Sequence, residues 1–213
     1  MSSFAILLSI LAALLLGAMS PGPSFVLVSR IAVVSSRRAG LAAAVGMGVG
    51  GAVFAGLALL GLTALLLRVE WLYLLLKLAG GLYLVYLGIR IWRGARQPLA
   101  TTTEAPSATA SPLRAFLLAL ATQLSNPKTA VVYGSIFAAL LPARPEAWMI
   151  VALPLATFAV EAGWYAVVAL AFSLHGPRAV YIGWKLWIDR AAGGVMGLLG
   201  LRLLVEGLRS RAV

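Results

Sequence analysis

The stretch Met19-Ser20-Pro21-Gly22-Pro23 lies inside an apolar run that begins at Phe4 and continues to Val34. Proline removes a backbone donor and clashes with the preceding turn, so two prolines around a glycine predict a break in a helix here. In a bilayer, freed backbone groups are costly unless they are buried in protein or line a wet cavity. A break inside a membrane span therefore points to function. The plainer alternative is a helix end.

The rest of the chain identifies the solvent. Of 213 residues, 62% are hydrophobic and 11% charged, with a mean hydropathy of +1.00. No soluble domain of this length needs that much apolar surface, which points to the bilayer. A span takes roughly 20 apolar residues, and six candidates are present: Phe4–Ser29, Ala39–Leu67, Trp71–Ile91, Leu113–Leu141, Ala147–Ser173 and Ile188–Leu208. The expected fold class is an all-α membrane protein of six transmembrane helices, with little chain left for a soluble domain. No basic segment precedes the first apolar run, so it reads as a retained span and not a cleaved signal. The absence of cysteine excludes disulfide and thiolate chemistry.

The net charge of +11 is better explained by the positive-inside rule than by nucleic acid, so the bilayer and not a nucleic acid is the expected partner. Arg30, Arg37, Arg38, Arg90, Arg93, Arg96, Arg114, Arg178, Lys185 and Arg190 fall in the loops between spans 1–2, 3–4 and 5–6. Only Arg68, Arg144, Arg209 and Arg211 fall on the other side. That bias of ten to four puts those three loops in the cytoplasm and both termini outside. Trp71 and Trp148 at the outer ends, with Trp92, Trp184 and Trp187 at the inner ends, fit interfacial belts.

The chain reads as one membrane-embedded domain over 1–213. The Thr-, Ser-, Ala- and Pro-rich stretch at 97–112 reads as a flexible linker between a repeat over about 1–96 and a second over about 113–213. Three spans on each side of the linker would make the two repeats inverted in the membrane. Asn126-Pro127-Lys128 interrupts span 4, and Pro127 follows Pro21 by 106 residues, half the chain. Paired breaks in corresponding halves, here in helices 1 and 4, point to a transporter binding site. Gly46 with Gly50, and Gly193 with Gly197, form GxxxG pairs. These point first to packing within the chain, with a homo-oligomer seam as the alternative.

Lys128 and Glu161 are the sharpest candidates for chemistry. Each sits near the centre of its span, where a charge costs about 2.5–3.5 kcal/mol on insertion scales and usually faces a cavity or a partner. A structural ion pair is the alternative. Thr122, Asn126, Thr129 and Tyr133 are spaced to share one helical face; they either line a path or bond between helices. Trp164 and Tyr165 flank Glu161 in the same region. Lys77 and Arg202 read as structural, through snorkelling or, for Arg202, pairing with Glu206. No catalytic constellation, metal cluster, phosphate loop or cofactor motif is visible, so an enzyme is the least expected class.

Taken together, Gly17-Ala18-Met19-Ser20-Pro21-Gly22-Pro23, Lys77-Leu78-Ala79-Gly80-Gly81-Leu82-Tyr83-Leu84, Asn126-Pro127-Lys128-Thr129-Ala130 and Gly200-Leu201-Arg202-Leu203 resemble the lysine exporter superfamily, and within it the RhtB branch. The resemblance covers nearly the whole chain and looks most like the threonine and homoserine efflux members. It implies export of small amino acids from the cytoplasm by exchange with protons, with no cofactor. On that reading the substrate or ion pathway contains Pro21, Gly22, Pro23, Ser24, Asn126, Pro127, Lys128 and Glu161, walled by Thr122, Thr129, Tyr133, Trp164 and Tyr165. Ser24 stands where many members carry Asp or Asn, so substrate identity stays open. A cation or small-solute channel on the same broken helices is the alternative.

Overall fold

The Pro-Gly-Pro stretch does break the helix. In a computed structural model of the chain, which describes residues 2–68, 70–97, 111–142 and 145–209, helix α1 (Ser3–Met19) stops just before Ser20 and α2 (Pro23–Val34) starts at Pro23, with a bend of 61° between them. Pro23 occupies the first turn of α2, where a missing N–H has no intrahelical partner to lose. A proline does not break a helix in every context: Pro154 sits inside a helix that continues through it. The long helices α3 (Arg37–Arg68) and α4 (Glu70–Gly94) complete the first half of the chain.

The second half repeats this order. Helix α5 (Pro112–Leu124) is capped by the Ser111 hydroxyl, which accepts from Arg114 N at 3.3 Å. It ends at Leu124 with Ser125 as its cap, and α6 (Pro127–Leu140) begins directly behind the Asn126 cap. The long helices α7 (Ala147–Phe172) and α8 (His175–Arg209) follow. All elements among the described residues are helical. Most of the expected linker, residues 98–110, lies outside the described residues, as do the side chains of Trp71, Lys77 and Glu206.

By length and hydropathy, α3 (over Arg37–Gly61) and α7 each qualify as a span, and the bent α1–α2 pair as a third, against the six expected. The break at Ser125–Asn126 explains part of the difference. It leaves pieces of 13 and 14 residues, each about 20 Å long at 1.5 Å per residue and short of a ~30 Å hydrocarbon core. The loop expected between spans 5 and 6 is also shorter than the charge pattern suggested. Helix α8 already begins at His175, so Lys185 and Arg190 are helical and Lys185 is buried. An ion pair with Asp189 one turn later, at 2.8 Å, and a bond to the Ala95 carbonyl at 3.4 Å satisfy its ammonium.

Glycines bring the long helices together. A methyl at Gly46 of α3 would lie 2.5 Å from the Phe116 carbonyl oxygen of α5, and one at Gly48 2.7 Å from Ala162 of α7. Helix α3 is thus held between α5 and α7. In α4 and α8, Gly88 backs onto Gly193, and Gly81 onto Gly200, with methyl-to-carbonyl distances of 2.6–3.0 Å. The GxxxG glycines Gly46, Gly50 and Gly193 therefore serve packing within the chain.

Two apolar clusters result. One gathers Ile10, Leu14, Leu84, Ile136, Met149 and Met196; the other gathers Phe25, Val28, Met47, Ala119, Val168 and Phe172. Outside them, Leu8, Leu57, Leu60, Leu117, Val151, Leu155 and Leu198 are exposed. So much outward apolar surface belongs against lipid and not water.

Candidate functional site

Between the two apolar clusters lies a polar seam. On α7, Glu161 falls between Leu153, in the first cluster, and Val168, in the second. The Glu161 side chain is buried, 3% exposed. Tyr133 of α6 donates its hydroxyl to Glu161 Oε1 at 2.8 Å. Gln123 of α5 donates Nε2 to Glu161 Oε2 at 3.4 Å and accepts the Ser24 hydroxyl at 2.7 Å. Asn126 Nδ2 donates to Ser24 Oγ at 3.3 Å, and Asn126 Oδ1 accepts from Lys128 N at 3.1 Å. One connected network thus runs from the carboxyl of α7 to the starts of α2 and α6. A carboxyl group is tolerated at this depth because its oxygens find donors.

Each member depends on local sequence. The break at Ser20–Gly22 frees the N-terminus of α2, which Gly22 leaves without a side-chain cap. The break at Ser125–Asn126 does the same for α6, but Asn126 caps it. Helix N-termini carry partial positive charge and attract anions. Lys128 brings its side-chain nitrogen beside the uncapped end: a methyl at Gly22 would sit 3.3 Å from Lys128 Nζ. Gly51 on α3 makes room for the acid, since a methyl there would lie 2.9 Å from the Tyr133 hydroxyl and 3.0 Å from Glu161 Cγ.

These groups surround a small cavity of about 30 Å³, room enough for ordered water, which needs about 10–15 Å³. Gly22, Ser24, Asn126, Lys128, Thr129, Tyr133, Glu161 and Tyr165 line it, together with Gln123 and Gly17. Pro21 lies in the break itself, and Pro23 and Pro127 open their helices. Trp164 stands to one side and donates Nε1 to the Ala18 carbonyl at 3.2 Å, which satisfies the last turn of α1. Lys128 and Glu161 share the cavity wall. They do not form an ion pair within 4.0 Å, as Lys185 and Asp189 do.

The polar face expected on span 4 is rearranged. Thr122, Asn126, Thr129 and Tyr133 would align on an unbroken helix, but the interruption at Ser125–Asn126 divides them between two helices. Asn126, Thr129 and Tyr133 reach the cavity; Thr122 does not line it. Gln123, 1% exposed, takes the position that spacing assigned to Thr122. The available signal was an amide inside an apolar run, three residues before the asparagine cap. The buried pairing of Lys185 with Asp189 is not legible in the sequence for a different reason: a basic residue near a span end carries the same signal as a loop cation.

At the α1–α7 end, Glu146 accepts hydrogen bonds from the Ser3 hydroxyl and from Trp148 Nε1, the latter at 2.6 Å. These bonds hold its exposed carboxyl below the ordinary carboxylate range. Among the described residues, no three His, Asp or Glu side chains converge as a metal site would require.

The family described as "LysE type translocator" matches residues 15–207. The chain is 37% identical over 193 residues to the threonine efflux protein of Escherichia coli (strain K12), covering 88% of this chain and 92% of that one. It is 33% identical over 198 residues to an uncharacterized membrane protein of Haemophilus influenzae, covering 91% and 93%. With the leucine efflux protein of Salmonella choleraesuis it shares 28% identity over 184 residues, covering 84% and 83%. No solved structure matches.

Proposed function

Because this chain belongs to the LysE type translocator family, we propose that it is a secondary transporter that exports small neutral amino acids, of the threonine or homoserine kind, from the cytoplasm in exchange for protons. The observation that carries this reading is the meeting of three groups at one cavity: the uncapped start of α2, the Lys128 ammonium and the Glu161 carboxyl. An α-amino acid carries a carboxylate and an ammonium, and the cavity offers a counterpart to each. In this reading, Gly22, Ser24 and Lys128 receive the carboxylate. Glu161 binds the ammonium, and a proton replaces it on the return step.

At about 30 Å³ the cavity is closed to an amino acid; ligand clefts are commonly ~300–1,000 Å³. A carrier must open such a site to one side at a time. The half-helices α1–α2 and α5–α6, each interrupted next to the cavity, are the elements placed to move. Six crossings in two inverted halves agree with the repeated order of two short and two long helices, and with the packing of α3 on α7 and α4 on α8. The bias of basic residues toward one set of helix ends supports both termini outside, and the bacterial relatives support an inner membrane.

The test is counterflow in proteoliposomes. Vesicles preloaded with unlabelled threonine or homoserine are expected to accelerate uptake of labelled threonine, and an imposed pH gradient to drive it further. Glu161→Gln is expected to abolish the response to the gradient while the protein remains folded and inserted. Flux that does not saturate would favour a channel, and gradient-driven efflux by Glu161→Gln would remove the carboxyl from the coupling step.

A further inference from the structure

A second cavity lies on the outer surface of the bundle, between α4 and α8. It measures about 520 Å³ and is walled by apolar side chains including Val85, Ile89, Leu198 and Leu201. Its floor is glycine. Gly88 and Gly193 are explained by the close crossing of the two backbones. Gly194 and Gly197 are not. A methyl at Gly197 would meet nothing within 4 Å, and one at Gly194 only the edge of the Trp92 ring at 3.8 Å. Their open sides keep a groove clear, while the Gly197 backbone itself lies against Gly88 at the crossing.

One end of the groove is basic and aromatic. Arg93 and Trp92 line it. The Arg190 guanidinium stands 5.7 Å from the Trp92 ring and 5.6 Å from the Trp187 ring, with both indoles more than half exposed. Among the described residues, neither Arg93 nor Arg190 is in an ion pair within 4.0 Å. From Gly193 to Leu201 the groove follows eight residues of helix, about 12 Å at 1.5 Å per residue, and Arg190 lies one turn beyond its end. An apolar channel of that length ends in guanidinium groups among indoles of the kind that settle at the membrane interface.

We propose that this groove binds an anionic phospholipid, with one acyl chain lying over Gly194 and Gly197 and the phosphate group against Arg93 and Arg190. Charge separates this occupant from a second copy of the chain. Two copies inserted in the same direction and related by a two-fold axis would bring Arg93 and Arg190 against their own counterparts at the same depth. An anionic headgroup neutralises that cluster, and basic pockets between transmembrane helices recognise such headgroups. The inference is independent of which solute the protein carries.

The experiment is native mass spectrometry of the purified full chain after delipidation, titrated with phosphatidylglycerol or with phosphatidylcholine of the same acyl composition. Wild type is expected to retain phosphatidylglycerol preferentially. Arg93→Gln and Arg190→Gln are each expected to weaken it by on the order of fivefold, the effect of one basic residue at an anionic surface. Gly197→Leu extends into the groove from the side of the residue that faces away from Gly88, and is expected to abolish retention of the acyl chain while counterflow continues. Gly197→Ala, a single methyl in open space, serves as the folding control. Equal retention of both lipids, or unchanged retention by Gly197→Leu, would overturn the proposal. So would loss of a crosslinked dimer in Gly197→Leu with lipid binding intact, which would make the groove a seam between copies.

Discussion

Replacing Gln123 by alanine is expected to destabilise the protein by about 2–4 kcal/mol, and the structure shows where that free energy resides. Gln123 is 1% exposed and bonded on both sides, accepting from Ser24 at 2.7 Å and donating to Glu161 at 3.4 Å. A neutral buried hydrogen bond contributes about 1 kcal/mol net, and one to a charged group about 1.5–3 kcal/mol. The second bond is long, which places it at the low end. Truncation also empties the space that packs on Gly50, where a methyl would lie 2.6 Å from Gln123 Cγ. Neither partner is wholly stranded, because Ser24 keeps Asn126 and Glu161 keeps Tyr133; this sets the upper bound. The assay is reversible unfolding in mixed micelles of wild type, Gln123→Ala, Ser24→Ala and the double variant. Residues in one hydrogen-bond network couple by about 0.5–3 kcal/mol, and the Ser24–Gln123 coupling is expected near 1 kcal/mol. Additivity within about 0.3 kcal/mol would refute the claim that a connected network links α2 to α7.

Three further outcomes follow from the geometry. Gly46→Ala is expected to separate α3 from α5 and lower stability by more than 1 kcal/mol, since its methyl would lie 2.5 Å from a backbone carbonyl; Gly56→Ala, with nothing within 4 Å, is expected to stabilise by up to about 1 kcal/mol through helix propensity alone. Parallel unfolding curves separate the two. Lys185→Ala is expected to cost about 3–5 kcal/mol by leaving Asp189 buried and unpaired, with most of the loss recovered in the Lys185→Met, Asp189→Leu double variant. For Glu146, bonds from Ser3 and Trp148 hold the carboxyl below its ordinary value of 4.5. The clasp it forms is therefore fully present above that value and is lost as pH falls through the lower folded-state value. Faster hydrogen exchange in the first turn of α1 on acidification, absent in Glu146→Gln, would show this.

The helical class, the break at Pro21–Pro23 and the break at Asn126–Pro127 follow from the sequence because each is a local property. Hydropathy identifies the solvent, and a proline lacks its donor in any context. Glu161 and Lys128 could be singled out for the same reason, since a charge within an apolar run is conspicuous without coordinates. Pairing was not legible. Gln123 and Ser24 meet across 99 positions of sequence. Gln123, not Thr122, faces the cavity because the helix stops one residue later, at Leu124, and the face that simple periodicity assigns ends with it. Lys185 looks like a loop cation until Asp189 and the Ala95 carbonyl are placed around it. The glycines divide likewise: their spacing is visible in the chain, but only the packed helices show that Gly88 is filled by another backbone while Gly197 opens onto a groove. Tertiary structure decides these points because they depend on which surfaces touch.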